Sequence, residues 1–350
     1  MRTEEDVSLA SATTLRVGGP AKRLVTADRE EDVILAVRTA HTGAEPLLVL
    51  GGGSNLLIAD DGFAGTVVRI ATRGRTVQRD GERVLVTVAA GEPWDAFVSW
   101  AVGEGLVGVE CLAGIPGLVG AVPMQNVGAY GQEVSETIVR LRAWDRDAHA
   151  LVTVEASACG FAYRHSVFRG KDRHVILDVT FALAKSAVGR PVRYAELAKA
   201  LDVEEGKSAP LETTRATIVT LRRKKGMVLD PGDPDTTSAG SFFTNPILEA
   251  SAMPELRARA RGASGKLPEY PEAGGRTKVA AGWLIENAGF AKGFAMGHAA
   301  ISSKHALALT NRGGATASEI LALARAVRGG VHARFGVTLE NEPVFVGCAL

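Results

Sequence analysis

Two glycine-rich segments limit what this chain can fold into. GGGSN (51–55) follows at once on the apolar run PLLVL (46–50), and CLAGIPGLVGAVPMQNVGAYG (111–131) carries five glycines from Gly114 to Gly131. Neither segment can continue a regular element, because glycine pays the largest ordering entropy and Pro116 and Pro123 lack an amide donor. A long irregular connection inside a compact domain is usually functional. Three successive glycines let the backbone approach a ligand closely and offer N–H groups to phosphate oxygens. The spacing is not G-x-G-x-x-G and no helical pattern follows, so this is not the Rossmann fingerprint; a tight turn is the plainer alternative. A second glycine loop favours a dinucleotide, with two phosphates, over a mononucleotide. Gln125 and Asn126 add amide donors and acceptors to it, where the alternative is an Ω-loop without ligand.

With 350 residues the chain is long enough for two or three domains. A net charge of +1 supplies no global field that would recruit nucleic acid or an acidic membrane. Cys111, Cys159 and Cys348 share no short spacing, which fits a reducing cytoplasm and no zinc site. The start, MRTEEDVSLA, is too acidic for a signal peptide. The most apolar run, 107–124, contains Glu110, two prolines and four glycines and is no membrane span.

Periodicity places the elements. LVTA, a helix capped by Asp28 with Glu31 three residues on and ended by Gly43, and PLLVL form a βαβ-like unit over 24–60. GTVVRI, RVLVTVAAG, IVRLRAW, ALVTV and HVILDVTFALA read as strands, and Pro93 opens a short helix. Helices are expected over TTRATIVTLRRKK up to Gly226, over KVAAGWLIENAG up to Gly289, and from Thr316 with Glu319 as a capping box. A domain boundary falls near 188–214, and VFVG closes the chain as a strand.

Several short stretches could carry chemistry. AGSFFTNP (239–246) holds a small hydroxyl, Ser241, in an apolar turn; a loop serine bonded to its own backbone is the simple reading, a proton donor in a dry pocket the sharper one. YRHSVF (163–168) sets Arg164 among aromatics, where it needs an anionic partner, structural or substrate. RRKK (222–225) reads as a solvated helix end, with a phosphate contact as the alternative. LENEPVFVG puts Glu340 and Glu342 on one face of a strand start. GASGK (262–266) lacks the phosphate-loop pattern, DPGDPD (230–235) lacks the calcium-loop pattern, and the histidines lack metal spacing.

In this order, LRVGGPA (15–21), LGGGSNLLIAD (50–60), GIPGLVGAVPMQNVGAYGQE (114–133), YRHSVF, AGSFFTNP, AGWLIENAGFAKG (281–293) and LENEPVFVG resemble the UDP-N-acetylenolpyruvoylglucosamine reductase family, in the subtype with a mobile tyrosine loop. GMVLDP looks like the high-GC Gram-positive branch, and Pro343-Val344 stands where the family usually reads Val-Arg. The resemblance implies an α+β fold, with a two-part, vanillyl-alcohol-oxidase-like FAD-binding unit and a C-terminal substrate-binding α+β domain. Its expected bounds are 1–72 with a terminal strand at about 337–350, then 73–190, then 191–336. It implies a cytoplasmic monomer using FAD and NADPH, without metal, nucleic acid or membrane insertion. NADPH reduces the flavin, hydride passes to the enolpyruvyl methylene carbon, and a serine protonates the alpha carbon. On this likeness Ser241, Arg164 and Glu342 are catalytic, with Glu340 the alternative acid. FAD falls to Gly51, Gly52, Gly53, Ser54, Asn55, Gly114, Ile115, Gly117, Gly120, Ala121, Gln125, Asn126, Gly128 and Ala129, and the substrate to Tyr194, Lys225 and Asn245. An oxidase on the same fold and a catalytically dead UDP-sugar binder are the competing readings.

Overall fold

The structure is a computed structural model that describes residues 1–350. Its chain divides into two compact units, Met1–Val7 with Ala21–Gly53 and Ala64–Lys224, and Ser8–Pro20 with Ser54–Phe63 and Lys225–Leu350.

In the first unit, helix α1 (Glu30–Thr42) opens on three acids, Glu30, Glu31 and Asp32, at the positive end of its dipole. It buries Val33, Ala36, Val37 and Ala40, the three-and-four spacing of one face. The cap is Arg29 and makes no side-chain bond, so Asp28 does not cap this helix. With the first turn starting at Glu30, Asp28 lies one residue too early to reach it. The strand Leu47–Leu50, which delivers the first glycine loop, runs parallel to Phe63–Ile70. The larger sheet is antiparallel, in the order Ala150–Glu155, Ile138–Asp145, His174–Lys185, Arg83–Ala89, Arg75–Asp80. Helix α2 (Trp94–Gly103), capped by Pro93, packs aromatic rings on it: Phe97 and Trp94 lie 5.0 and 5.9 Å from Phe181. Each such ring contributes roughly 1.5–3 kcal/mol by leaving water. Helices α3 (Ala195–Leu201) and α4 (Leu211–Lys224) belong to this unit, because Leu197, Ala198 and Ile218 enter the same core. Contact density thus changes at Lys224, past the sequence boundary of 188–214.

The second unit is built on α5 (Met253–Arg259), α6 (Ala281–Asn287) and α7 (Ala317–Phe335), with Leu284, Leu323, Val327 and Phe335 packed against Phe242 and Phe243. The helix expected over 278–289 is shorter. Lys278 and Val279 pair as a strand with Ile247–Leu248 and Glu269–Pro271, and α6 starts at Ala281. Tertiary pairing overrides a helix-compatible sequence there. The capping box Thr316/Glu319 is present. Asp60 reinforces it from far away in the chain, accepting the amides of Ala317 and Ser318 at 2.7 and 3.0 Å.

The two N-terminal segments interlock by backbone. A Cβ on Gly19 would stand 1.9 Å from the Asp60 carbonyl oxygen, and one on Gly62 (φ +78) 1.9 Å from that of Pro20. Only glycine permits both crossings.

Four carboxylates of this unit are held below the ordinary range, Glu269 by its hydrogen bond from Arg257. Glu319 receives the amides of Thr316 and His298 and drops to about 2. For Asp60 and Asp235 burial opposes the charge, but hydrogen bonds from Ser318 and Ala317, and from Ser303, outweigh it. Their folded values lie below unfolded values of about 4. Their stabilisation is therefore complete above about pH 4 and is lost as pH falls through the folded values. The melting temperature should fall steadily from about pH 4 to pH 2, and Glu319→Gln should flatten that slope. An unchanged slope in the variant would remove Glu319 from the account.

Candidate active site

Within the first unit the two glycine loops touch. A Cβ on Gly52 would lie 2.8 Å from the Gly117 Cα, and one on Gly51 3.8 Å from the Ala121 Cβ. Gly53, Gly114 and Gly117 have φ of +62, +71 and +123. The second loop is fastened to the start of α2: Gly114 donates its amide to Asp95 Oδ1 at 2.6 Å, and Trp94 donates to the Gly117 carbonyl at 3.0 Å. Gly120 presses on Ala90, where a Cβ would meet Ala90 Cβ at 2.5 Å. These contacts fix a strip of half-buried backbone at Gly51, Gly52, Ile115 and Gly117.

Asn126 serves this loop from inside. It is fully buried at φ +49, donates to Glu133 Oε2 at 2.8 Å and to the Ala162 carbonyl at 3.1 Å, and accepts the Ser135 amide at 3.1 Å. Its amide is spent on holding the YRHSVF turn to the loop. Ser166 Oγ makes a second tie, to the Met124 carbonyl at 2.6 Å. The turn presents Arg164 at φ +49, with Nη2 donating to the Gly128 carbonyl at 2.8 Å and Cζ 5.1 Å from the Tyr163 ring centre. The guanidinium is thereby oriented beside Gly128 and Ala129. Tyr194, the exposed residue that starts α3, meets Tyr130 of the loop edge-on at 5.3 Å. RRKK is not wholly a solvated face: Arg223 and Lys224 are exposed, but Arg222 is drawn inward. Burial lowers it to about 10, against the pull of Tyr130 and Asp95, so it is charged at neutral pH.

In the second unit, one pairing assembles the other candidates. Phe242 donates its amide to the Leu307 carbonyl at 2.7 Å, Glu342 donates to the Phe242 carbonyl at 2.9 Å, and Thr244 donates to the Glu340 carbonyl at 3.0 Å. Phe243 and Asn341 form the bridge between the segments. GSFFTN and LENE thus lie side by side; Ser241 and Glu342 are half-buried, and Phe242 and Phe243 are fully buried. Glu340 is exposed, and the regular strand starts only at Val344, so the two acids differ in surroundings. Asn55 joins here as well, donating to the Glu342 carbonyl at 3.3 Å and accepting the Val344 amide at 3.0 Å. Asn245 caps α6 by accepting the Ala281 amide at 2.9 Å. Lys225 precedes Gly226, whose φ of +65 turns the chain out of α4.

Comparison with known proteins agrees with both halves. Residues 21–153 match the family described as FAD binding domain, and residues 233–346 match UDP-N-acetylenolpyruvoylglucosamine reductase, C-terminal domain. The UDP-N-acetylenolpyruvoylglucosamine reductase of Thermobifida fusca is 52% identical over 99% of this chain and 98% of its own. The protein of that name from Streptomyces avermitilis is 54% identical over 99% and 95%. The crystal structure of UDP-N-acetylenolpyruvylglucosamine reductase from Thermus caldophilus superposes with a TM-score of 0.68 at 26% identity, covering 99% of both chains. With half its residues shared along the full length, and with one match to an FAD-binding domain and another to the reductase's own C-terminal domain, this α+β chain belongs to the UDP-N-acetylenolpyruvoylglucosamine reductase family.

Proposed function

We propose that this protein reduces UDP-N-acetylenolpyruvoylglucosamine to UDP-N-acetylmuramate, a step in making peptidoglycan precursors, with FAD as resident cofactor and NADPH as reductant. The observation that carries this reading is the backbone pairing of the GSFF and LENE segments, which brings half-buried Ser241 and half-buried Glu342 onto adjoining stretches of chain. An oxidase acting on an alcohol needs no such acid.

The residues present fit a flavin dinucleotide. Two loops that meet through Gly52 and Gly117 offer backbone with no side chain in the way, which is what diphosphate oxygens require. Gly51, Gly52, Gly53, Gly114, Ile115, Gly117, Gly120 and Ala121 are assigned to hold it, with Ser54 and Asn55 continuing the first loop. The chemistry FAD supplies when bound is hydride transfer, from NADPH and on to the methylene carbon.

The protein's own groups handle the charge and the proton. Arg164 is assigned the substrate carboxylate, since a planar guanidinium pairs with it bidentately. That contact also stabilises the negative charge left on the alpha carbon and carboxylate once the methylene carbon has become a methyl group. Ser241 Oγ gives its proton to the alpha carbon and regains one from solvent. A hydroxyl is a weak acid, adequate only toward a strongly basic carbon where water is excluded. Glu342 is the acid assigned to the same step. Tyr194 and Lys225 are assigned the diphosphate. Asn245, which uses its side-chain oxygen on Ala281, keeps its amide nitrogen for substrate.

Anaerobic titration tests this. NADPH should bleach the flavin absorbance, and UDP-N-acetylenolpyruvoylglucosamine alone should restore it. Restoration by oxygen alone would leave the flavin fold standing and overturn the substrate.

A further inference from the structure

We propose that Asp235 is the positioning residue that sets where the Ser241 hydroxyl stands; this rests on the reading of Ser241 as the proton donor. The serine strand is only four residues long, Ser238–Ser241, and it pairs with Ala308–Asn311 at Ser238↔Thr310 and Ser241↔Ala308. Three steps on one side against two on the other leave an extra residue between these rungs. Such a bulge re-aims the side chain that follows it and weakens the ladder. Gly240, at φ +75, absorbs the bend. A strand with two rungs and a bulge does not fix its own register; downstream, the Phe242 bonds to Leu307 and Glu342 hold its end, and the bulge leaves the upstream side to be fixed separately.

Asp235 fixes that upstream side. Its side chain is 4% exposed. Oδ1 accepts the Ser303 amide at 2.9 Å and Arg312 Nη2 at 2.6 Å, and Oδ2 accepts Ser303 Oγ at 2.6 Å. Arg312 directly follows the strand Ala308–Asn311, and Ser303 lies two residues past the strand Ala299–Ile301. The carboxylate is therefore bolted to two strand ends of the same sheet. The turn leading to it is closed on itself: Thr236 Oγ1 donates to the carbonyls of Asp230 and Asp233, and Lys304 Nζ pairs with Asp233 at 2.6 Å. DPGDPD is thus an anchor, with buried Asp235 answered by Arg312 and Ser303 and half-buried Asp233 by Lys304. Past Asp235, the Asn311 amide on the Thr237 carbonyl (3.0 Å) and Thr14 Oγ1 on the Ser238 carbonyl (2.7 Å) carry the register into the serine strand.

The test uses the flavin-loaded protein in anaerobic stopped flow. In Asp235→Asn, reduction by NADPH should keep its rate, while the limiting rate of reoxidation by saturating UDP-N-acetylenolpyruvoylglucosamine falls about 30-fold, as a misplacement under 1 Å can cause. The half-saturating concentration should move far less. Ser303→Ala, which removes one of the three bonds, should lose about threefold on the same scale. If Asp235→Asn does not fold, Ser303→Ala and Arg312→Gln carry the test. The deciding variant is Ser241→Ala/Asp235→Asn, which should be no slower than Ser241→Ala alone, because residues acting through one group are not additive. Additive losses, equal slowing of both half-reactions, or a wild-type limiting rate in Asp235→Asn would each overturn the proposal. If Ser241→Ala is slow while Asp235→Asn is normal, only the positioning role falls. If Ser241→Ala is itself normal, the acid assignment falls first.

Discussion

Ser241→Ala leaves flavin bleaching by NADPH at its original rate and slows reoxidation by UDP-N-acetylenolpyruvoylglucosamine about 10³-fold, the middle of the range for a positioned acid. The substitution is conservative for the fold. The serine strand is held through backbone bonds, from Phe242 to the Leu307 carbonyl and from Glu342 to the Phe242 carbonyl, and these survive. The positive φ of the bulge falls on Gly240, so alanine at 241 meets no forbidden conformation. Phe242 and Phe243, which follow it in the chain, stay buried. Only the proton is removed, and only the second half-reaction needs one. Stopped-flow absorbance of the two half-reactions separates the cases. Equal slowing of both would mean that the residue supports the flavin and not the protonation, and an unchanged second half-reaction would move the acid to another group, with Glu342 next in line.

Much of this arrangement is legible in the sequence, for identifiable reasons. Glycine loops announce themselves because close backbone approach excludes every other residue, and the contact of Gly52 with Gly117 is that requirement made concrete. The capping box of α7 is local, and local rules read it correctly. What fails is non-local. Nothing in the periodicity of LRVGGPA or NLLIAD says that these segments cross each other at Gly19 and Gly62 and fold with residues beyond Lys225. Asp60 caps a helix that starts at Ala317, a partnership no window along the chain could contain. Lys278 and Val279 look helical until strands on both sides claim them. Asn126 shows what an amide in a glycine loop does not announce: its side-chain bonds to Glu133, Ala162 and Ser135 also hold the scaffold together. Arg222 is a second case, since a basic helix end reads as solvated while burial alters one of its four cations.

Gly52→Val abolishes stable flavin binding. The Cβ alone would lie 2.8 Å from the Gly117 Cα, a contact with backbone that no side-chain rotation relieves, and the two added methyls widen the clash. The second loop cannot retreat freely. It is tied through Gly114 to Asp95, through Gly117 to Trp94 and through Gly120 to Ala90, all fixed on the core of the first unit. The strain therefore appears as separation of the loops. Overpacking of this kind costs about 3 kcal/mol, which at 1.4 kcal/mol per decade weakens the flavin about a hundredfold. The protein should purify colourless, with FAD far below one per chain, and should need a large excess of added FAD to turn yellow. Its melting temperature without flavin should stay within a few degrees of the flavin-stripped original, because the clash is relieved by parting of the two loops and leaves the pairing of the six-stranded sheet intact. A yellow protein of full flavin content would place the dinucleotide elsewhere. An unfolded one would make Gly52 a residue of the core packing, and Gly51→Ala, whose Cβ would find the Ala121 Cβ at an ordinary 3.8 Å, would then serve as the milder probe of the same loop.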